Sequence, residues 1–355
     1  MPQPSVAVKS SAGRSLGYAP VHDHRSGSSR HRESRPRGRA VWAGAVGGLA
    51  PAHSLLGRVA RDANGGRVVN RFDYVSLLTD YGLRDEFVGV VKCVIADVAP
   101  HVTVLDITHD VAPFDVRAGS LALARAVPYV PKGVVMAVVD PGVGSSRRAI
   151  AVSVAEGTGV FIGPDNGLLA PAVALAGGAE HAVELTNRRY HLDAPGATFA
   201  GRDVFAPVAA HVCAGVPLSE MGPEIDPAGI LPGVVPLPRE VDGALQCEVT
   251  WVDRFGNCQL NVSADEVAAL GTVVRIVIGA EDPAHAVERS APMVSTYAAI
   301  GGGLGLVVDS YGMVSIAVDR SSAAVETGLT PGSLVVLSSG SVPATPVQIT
   351  RAPRA

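Results

Sequence analysis

The sequence predicts an α/β fold, in which a mostly parallel sheet with flanking helices is followed by a smaller domain of mostly antiparallel strands. Short apolar runs alternate with helix-like segments from Phe72 to about Gly222, the pattern of a parallel sheet with crossover helices. From Gly243 onward, strand-like runs dominate. Four prolines mark a linker between the two regions: Pro227, Pro232, Pro236 and Pro238.

The first domain is predicted over residues 71–225. Its strands are expected at short aliphatic runs, because such runs are typical of strands that are buried on both faces. These runs are Tyr74–Leu78, Val102–Ile107, Val134–Val139 and Val160–Ile162. Segments with helical character lie between or after them: Val88–Val98, Ala118–Val127 and Val204–Cys213.

The second domain is predicted over residues 243–342, after a linker at 226–242 and before a tail at 343–355. A short helix is predicted at Ala264–Leu270. Five runs have the composition of strands: Leu245–Val252, Val273–Ile278, Gly305–Val308, Val314–Val318 and Ser333–Leu337. Several strands with so little helix between them indicate a small, mostly antiparallel β domain.

Residues 1–70 form a basic extension, with 11 Lys and Arg against 3 Asp and Glu. The stretch Ser10–Arg39 is rich in Ser, Arg, Gly, His and Pro and has no apolar periodicity, so no packed structure is predicted there. Three interpretations stay open at this point. The segment is an arm for anionic partners, a targeting peptide with its weakly apolar part at Ala40–Ala52, or simply an unstructured extension or a wrongly assigned start.

The rest of the chain is acidic, with 18 Lys and Arg against 30 Asp and Glu, which argues against nucleic-acid binding by the folded part. No apolar run is long enough to span a bilayer, so no membrane partner is expected. The four cysteines form no C-x-x-C pair, which indicates neither a zinc ribbon nor a disulfide framework. We therefore expect a cytoplasmic protein without a structural metal.

Polar residues lie at the carboxyl ends of four of the predicted strands, at the sheet edge where ligands of open α/β folds gather. They are Asp80, the pair Asp106 and His109, Asp140, and the pair Asp165 and Asn166. Four such clusters in succession suggest a shared polar crevice. Each aspartate alone could instead cap a turn or a helix.

The segment DPGVGSSRR, which begins at Asp140, is the most informative of these clusters. Gly142 and Gly144 permit tight turns, and the segment lacks both the Walker A ending and the G-x-G-x-x-G pattern. Arg147 follows Asp140 by seven positions, so a loop can fold the two together. Such a pair can orient a water molecule, or it can be a salt bridge that fixes the loop.

Several motifs together resemble the S-adenosyl-L-methionine (SAM) hydroxide adenosyltransferases, which are adenosine-forming SAM hydrolases related to the fluorinases and chlorinases. The motifs are LLTDYGLRDEFVGVVK, DITHDVAPFDV, VVDPGVGSSRR, PDNGLL, ATFAGRDVFAP and WVDRFGN, in that order. The resemblance runs from about Phe72 to about Leu337. It implies a Rossmann-like N-terminal domain and a β-barrel-like C-terminal domain. It also implies a homotrimer, with SAM between one subunit's N-terminal domain and the neighbour's C-terminal domain.

The same resemblance implies roles for individual residues. Asp80 should hold the ribose hydroxyls, and Phe114 and Phe199 should form walls around the nucleoside. Asp253 and Ser310 should bind the amino-acid end of SAM, and Asn257 should contact adenine. Two more positions fall in the substrate site: Thr198 and Tyr311.

Water is the nucleophile that the sequence favours. In the hydrolase branch an Asp–Arg–His set positions the water, and Asp140 and Arg147 match its first two members. The third member should stand at position 200, where this chain has Ala200. His109 is a possible substitute, although a structural role suits it better. The extra loop of the fluorinases is missing here, because only residues 149–159 separate Arg148 from the next strand.

The expected reaction is hydrolysis of SAM to adenosine and L-methionine, with SAM as the substrate and no cofactor. Its sulfonium leaves as a neutral thioether, so neither a general acid nor a metal is required. Two alternatives remain at this point. One is a halide-using relative that forms 5′-chloro-5′-deoxyadenosine, and the other is a non-catalytic SAM or adenosine binder, which Ala200 suggests.

Overall fold

The computed structural model describes residues 72–280 and 284–340 of the chain. The basic extension predicted at residues 1–70 and the tail predicted at 343–355 lie outside the described residues. The described part contains the predicted α/β region and the predicted β domain.

The first sheet has seven strands, and the four adjacent strands at one side of it are parallel to one another. The strands are β1 (Tyr74–Thr79), β2 (Thr103–Thr108), β3 (Gly133–Val138), β4 (Ala149–Val154), β5 (Gly159–Pro164), β6 (His181–Glu184) and β7 (Glu224–Ile225). Their order is β2-β1-β3-β5-β4-β6-β7, and β2, β1, β3 and β5 pair in parallel. β4 pairs antiparallel with both β5 and β6. The predicted α/β fold with a mostly parallel sheet is confirmed.

Helices cover both faces of this sheet. They are α1 (Phe87–Val98), α2 (Val116–Ala126), α3 (Ala170–Leu175) and α4 (Ala206–Cys213). α1 and α4 pack over the face that carries Leu77 and Met136, whereas α2 and α3 pack over the face that carries Leu78 and Ala137. Because consecutive side chains of a strand point to opposite faces, Leu77 and Leu78 belong to two separate cores. β3 is buried along its whole length, as expected of a central parallel strand.

The second domain is a closed β-barrel. Its strands are β8 (Arg239–Val241), β9 (Ala244–Val252), β10 (Cys258–Ser263), β11 (Val273–Ile278), β12 (Val287–Val294), β13 (Gly305–Val308), β14 (Met313–Ala317) and β15 (Leu334–Ser339). Seven strands close the ring in the order β10-β14-β13-β12-β11-β15-β9, and β9 pairs again with β10. The eighth strand, β8, pairs with β9 outside the ring. Two short helices accompany the barrel: α5 (Ala264–Ala268) and α6 (Ala323–Thr327).

Six strands have no counterpart in the sequence prediction: β4, β6, β7, β8, β10 and β12. β10 has the sequence CQLNVS, and its Gln259 and Asn261 are buried, which breaks the apolar pattern of a core strand. Their side chains find partners inside the barrel, because the Gln259 amide donates to Asp309 and Asn261 accepts from the Glu248 N–H. β12 contains two charged residues and Pro292, so its composition does not indicate a strand.

Helix α2 joins the sheet domain to the barrel. Arg117 Nη2 lies 2.6 Å from Glu248 Oε1 on β9. About two helical turns further along α2, the guanidinium of Arg125 lies 4.3 Å from the centroid of the Trp251 ring. Burial lowers the pKa of Arg125 to about 10, so it remains charged at neutral pH and makes a cation–π contact.

In the part of the chain that the structure describes, every helix is too short or too polar to cross a bilayer.

We expect Gly163→Ala to destabilise the protein. Gly163 is buried in β5, and a Cβ atom there would clash with the backbone carbonyl oxygen of Ala137 on β3. Since a strand backbone cannot move aside cheaply, overpacking should cost about 1–3 kcal/mol, or about 3–10 °C in Tm. Gly229→Ala is the matched control, because a Cβ atom there meets open space. Equal Tm values for the two variants in a thermal melt would contradict this account of the β3–β5 contact.

Candidate active site

A cavity of about 440 Å³ opens at the carboxyl ends of β1 and β3. Four loops and the start of α1 contribute to its wall, and all of them belong to the sheet domain. The lining residues are Asp80, Tyr81, Phe87, Pro113, Phe114, Asp140, Val143, Thr198, Phe199, Ala200, Gly201 and Arg202. The position agrees with the general location of ligand sites in open α/β sheets.

Asp80 directly follows β1 and is held by the loop that carries Phe114. Its Oδ2 accepts a hydrogen bond of 2.9 Å from the Phe114 N–H. Phe114 has a φ of 70°, in the left-handed region that bulky residues rarely adopt, and the residue is 72% exposed. Such a conformation costs about 1–3 kcal/mol and is most often retained at functional sites. The other carboxylate oxygen of Asp80 accepts no hydrogen bond from the described residues and is free to accept one from a ligand.

The loop after β3 brings Asp140 and Arg147 together in a bidentate ion pair. Arg147 Nε donates to Asp140 Oδ1 at 3.0 Å, and Nη2 donates to Oδ2 at 2.5 Å. Both side chains are buried, with 5% of Asp140 and 11% of Arg147 exposed. Burial raises the pKa of the Asp140 carboxyl, while Arg147 and the Gly142 N–H oppose the rise. The result is a fixed carboxylate at the cavity wall that can accept a further hydrogen bond.

An aromatic cluster forms one side of the cavity. The Tyr81 ring lies 5.9 Å from the Phe87 ring and 5.6 Å from the Phe199 ring, both edge to face. Phe87 and Phe199 are also in edge-to-face contact, at 5.1 Å. Tyr81 and Phe87 were not among the predicted site residues, because an aromatic residue beside an apolar run has the same pattern as a core residue.

The segment Thr198–Arg202 includes Phe199 of the aromatic cluster and continues the cavity wall into a π-helical turn, Gly201–Phe205, before α4. π-helical turns occur often at functional sites. Ala200 presents only a methyl group to the cavity, at the position where a histidine was expected. Arg202 pairs with Asp203 through Nε at 2.6 Å and lies 5.1 Å from the Phe199 ring.

Two of the four predicted strand-end clusters, Asp106 with His109 and Asp165 with Asn166, do not line the cavity. The prediction that all four clusters share one crevice is therefore only partly correct. His109 is buried, with Nδ1 2.9 Å from Thr79 Oγ1 and Nε2 3.0 Å from Asp106 Oδ1. A ring engaged in this way ties β1 to the end of β2 and does not face the Asp140–Arg147 pair.

Asp165 and Asn166 stabilise loops. Asp165 Oδ2 accepts from Arg148 Nε at 2.9 Å, and Asp165 Oδ1 accepts from the Leu231 N–H at 2.8 Å. Asn166 donates to the carbonyl oxygen of Val139 at 2.9 Å. These contacts fix the segment around Leu231, which follows the sheet domain. Asp165 therefore has the loop-stabilising role that the sequence analysis left open for each aspartate.

The remaining predicted site residues lie on the barrel, in the turns after β9 and β13. Asp253 Oδ1 accepts from the N–H groups of Phe255 and Asn257, at 2.9 and 2.8 Å. Its Oδ2 accepts from the Asn257 side-chain amide at 2.8 Å. Asp253 therefore orders the β9–β10 turn and orients Asn257.

The β13–β14 turn is ordered by Asp309, which accepts from the Tyr311 N–H at 2.8 Å. Ser310 is exposed, and the Tyr311 ring lies 6.1 Å from Trp251. Burial raises the pKa of Tyr297, and the carboxylates of Asp253 and Asp309 add to the rise, so the two turns face a common region. None of these barrel residues lines the cavity of the sheet domain.

No group of three or more His, Cys, Asp or Glu within residues 72–280 and 284–340 has a geometry that could hold a metal ion.

Comparison with protein families matches both domains. Residues 75–222 match the SAM hydroxide adenosyltransferase N-terminal domain, and residues 247–336 match the C-terminal domain of the same family.

Individual relatives agree with this match. The chain is 45% identical over 268 residues to an (R)-S-adenosyl-L-methionine hydrolase of Salinispora tropica, covering 75% of this chain and 98% of that protein. It is 26% identical to a fluorinase of an Actinoplanes species, covering 74% and 97%. A crystal structure of an uncharacterized conserved protein from Thermotoga maritima superposes with a TM-score of 0.67 at 34% identity, covering 74% of this chain and 99% of that one.

We expect Arg147→Met to destabilise the protein by about 3–5 kcal/mol at neutral pH, because it leaves the buried Asp140 carboxylate without its partner. Loss of the arginine removes the influence that lowers the pKa of Asp140, so the carboxyl takes up a proton more easily. The penalty should therefore shrink as the pH is lowered. Thermal melts over a pH series measure this.

The double variant Asp140→Asn/Arg147→Met is the control for this prediction. It removes both charges and should recover most of the lost stability. A double variant as unstable as Arg147→Met would show that the arginine contributes by packing against Phe205, which lies 5.5 Å from its guanidinium, and not by pairing.

Proposed function

The chain belongs to the SAM hydroxide adenosyltransferase family, and we propose that it hydrolyses SAM to adenosine and L-methionine. The observation that carries the proposal is Asp140, which lines the cavity beside Asp80 and is held by a buried, bidentate ion pair with Arg147. It supplies a carboxylate of fixed direction, which is what a neutral water nucleophile requires. Relatives named as SAM hydrolases, at up to 45% identity, support the same reaction.

The reaction is a displacement at the ribose C5′ of SAM. A lone pair of water forms the new O–C5′ bond, and the C5′–S bond breaks with its electron pair going to sulfur. Methionine leaves as a neutral thioether, so the leaving group needs no proton. The attacking water loses one proton, which Asp140 accepts and passes to solvent. Alignment of water, C5′ and sulfur supplies several kcal/mol, and base assistance adds about 10²–10⁴-fold.

The sheet domain provides the ribose half of the site. Asp80 has an unoccupied oxygen that can accept hydrogen bonds from the two ribose hydroxyls, and the exposed Phe114 ring and Phe199 can form the walls around the nucleoside. Thr198 lies beside Phe199 in the cavity wall. No group in this arrangement calls for a cofactor, since SAM itself carries the activated bond.

A halide nucleophile fits this geometry poorly. Asp140 and Asp80 both line the cavity, so an anion would enter against two carboxylates with only Arg147 to offset them. The fluorinases are also more distant from this chain than the hydrolases are, at 26% against 45% identity.

The barrel provides the second half of the site from a neighbouring subunit, in a homotrimer. Asp253, Asn257, Ser310 and Tyr311 are gathered in two adjacent turns of the barrel, and the cavity in the same chain has no barrel residue in its wall. The cavity alone therefore lacks partners for the methionine and adenine ends of SAM. We place the protein in the cytoplasm, because all four cysteines are free thiols, which suits a reducing compartment.

We expect purified protein incubated with SAM to form adenosine and methionine in equal amounts, with or without chloride. In ¹⁸O-labelled water the 5′-oxygen of adenosine should carry the label, because the O–C5′ bond forms from water. Asp140→Asn should lower turnover by about 10²–10⁴-fold while SAM still binds. Chloride-dependent 5′-chloro-5′-deoxyadenosine would establish the halogenase, and SAM binding without any product would establish a binding protein.

We expect each of the variants Asp80→Ala and Asp253→Ala to lose SAM binding when it is purified alone. When the two are co-expressed with different tags, one of the three sites in every mixed trimer should combine an intact Asp80 from one subunit with an intact Asp253 from its neighbour. Calorimetry on the doubly tagged fraction measures these sites. If both halves of the site came from one chain, every site would carry a lesion and no binding would return.

A further inference from the structure

Tyr81 brings a hydroxyl group into the cavity beside the segment in which the expected histidine is absent. It lines the cavity together with Asp140, Ala200 and Gly201. Its hydroxyl reaches so close to Gly201 that a Cβ atom there would clash with it. The phenol oxygen therefore lies against Gly201, the residue that follows Ala200 in the same cavity wall.

The hydroxyl is held in a fixed position without being used by the fold. The Tyr81 ring is fixed edge to face between Phe87 and Phe199, and its backbone N–H donates to Thr79 Oγ1 at 3.2 Å. The hydroxyl itself makes no hydrogen bond to any residue described in the structure. An oriented hydroxyl that faces a cavity and has no partner in the protein is available to a ligand or a water molecule.

The charges around this hydroxyl keep it neutral. Burial raises the pKa of Tyr81 well above its usual value, the carboxylates of Asp80 and Asp140 add to the rise, and Arg147 opposes it. A phenol that stays protonated cannot act as a base at neutral pH. It can accept a hydrogen bond through its oxygen and donate one through its proton.

We propose that the Tyr81 hydroxyl positions the attacking water together with Asp140, in place of the histidine that Ala200 replaces. This assignment rests on the proposed function. The water donates one hydrogen to Asp140 and the other to the phenol oxygen, so its lone pair is left to face C5′. The O–C5′ bond forms as the C5′–S bond breaks. The proton goes to Asp140 and then to solvent, and Tyr81 keeps its own proton throughout.

The Tyr81→Phe variant tests this assignment, because it keeps the ring contacts and removes only the oxygen. Adenosine formation under saturating SAM should fall about 10–100-fold, less than the about 10²–10⁴-fold that a general base contributes, because Asp140 remains. The dissociation constant for SAM, measured by calorimetry, should change less than about threefold, since the water and not SAM loses its partner. Tyr74→Phe is the matched control, because it removes a hydroxyl on β1 away from the cavity.

A rescue experiment separates water positioning from a structural role. Ala200→His should raise adenosine formation in the Tyr81→Phe background by a larger factor than in the wild type, because both groups serve the same water. Unchanged turnover in Tyr81→Phe, with an active wild type, would overturn the assignment and leave the hydrolase function standing. Lost SAM binding, or a reduced rate that Ala200→His does not restore, would overturn it too. If the wild type forms no adenosine, the proposed function itself is overturned. The wild type is therefore assayed before any variant is compared.

Discussion

Thr79 of β1 and Val138 of β3 are paired neighbours at the centre of the parallel sheet, and the chemistry of the cavity depends on their register. Parallel strands end at the same edge, so the residues just beyond these two, Asp80 and Asp140, open onto the same space. The register is protected by burial on both faces. A slip of one residue would move Leu77 and Leu78 into each other's core.

Two consecutive arginines in the loop between β3 and β4 make different ion pairs. Arg147 turns inward to Asp140, whereas Arg148 turns to Asp165 on the far side of the loop. One pair faces the cavity, and the other fixes the segment that leads away from the sheet domain. The loop that carries Asp140 is thus held at its end by two ion pairs, Arg147 with Asp140 and Arg148 with Asp165.

The order of strands and helices in the sheet domain was predictable where burial imposed a clear pattern, as at β1, β3 and α1. The prediction failed at β10, because Gln259 and Asn261 are buried polar residues whose partners come from other strands. The cavity residues after β1 and β3 were indicated by their place at strand ends. That same signal could not separate Asp140 from Asp165, since only the three-dimensional path of the loop decides which arginine each one meets. Tyr81 was missed because its hydroxyl can reach into the cavity only where Gly201 has no side chain. Gly201 is 120 positions away in the sequence, so no local pattern indicates this contact.

The contact between the Tyr81 hydroxyl and Gly201 also constrains how this sequence can evolve. While the tyrosine is present, any side chain at position 201 meets its oxygen. Once position 81 becomes phenylalanine or a smaller residue, position 201 gains room for a side chain. The order of the two substitutions therefore matters, and lineages that differ at position 81 will tolerate different residues at position 201.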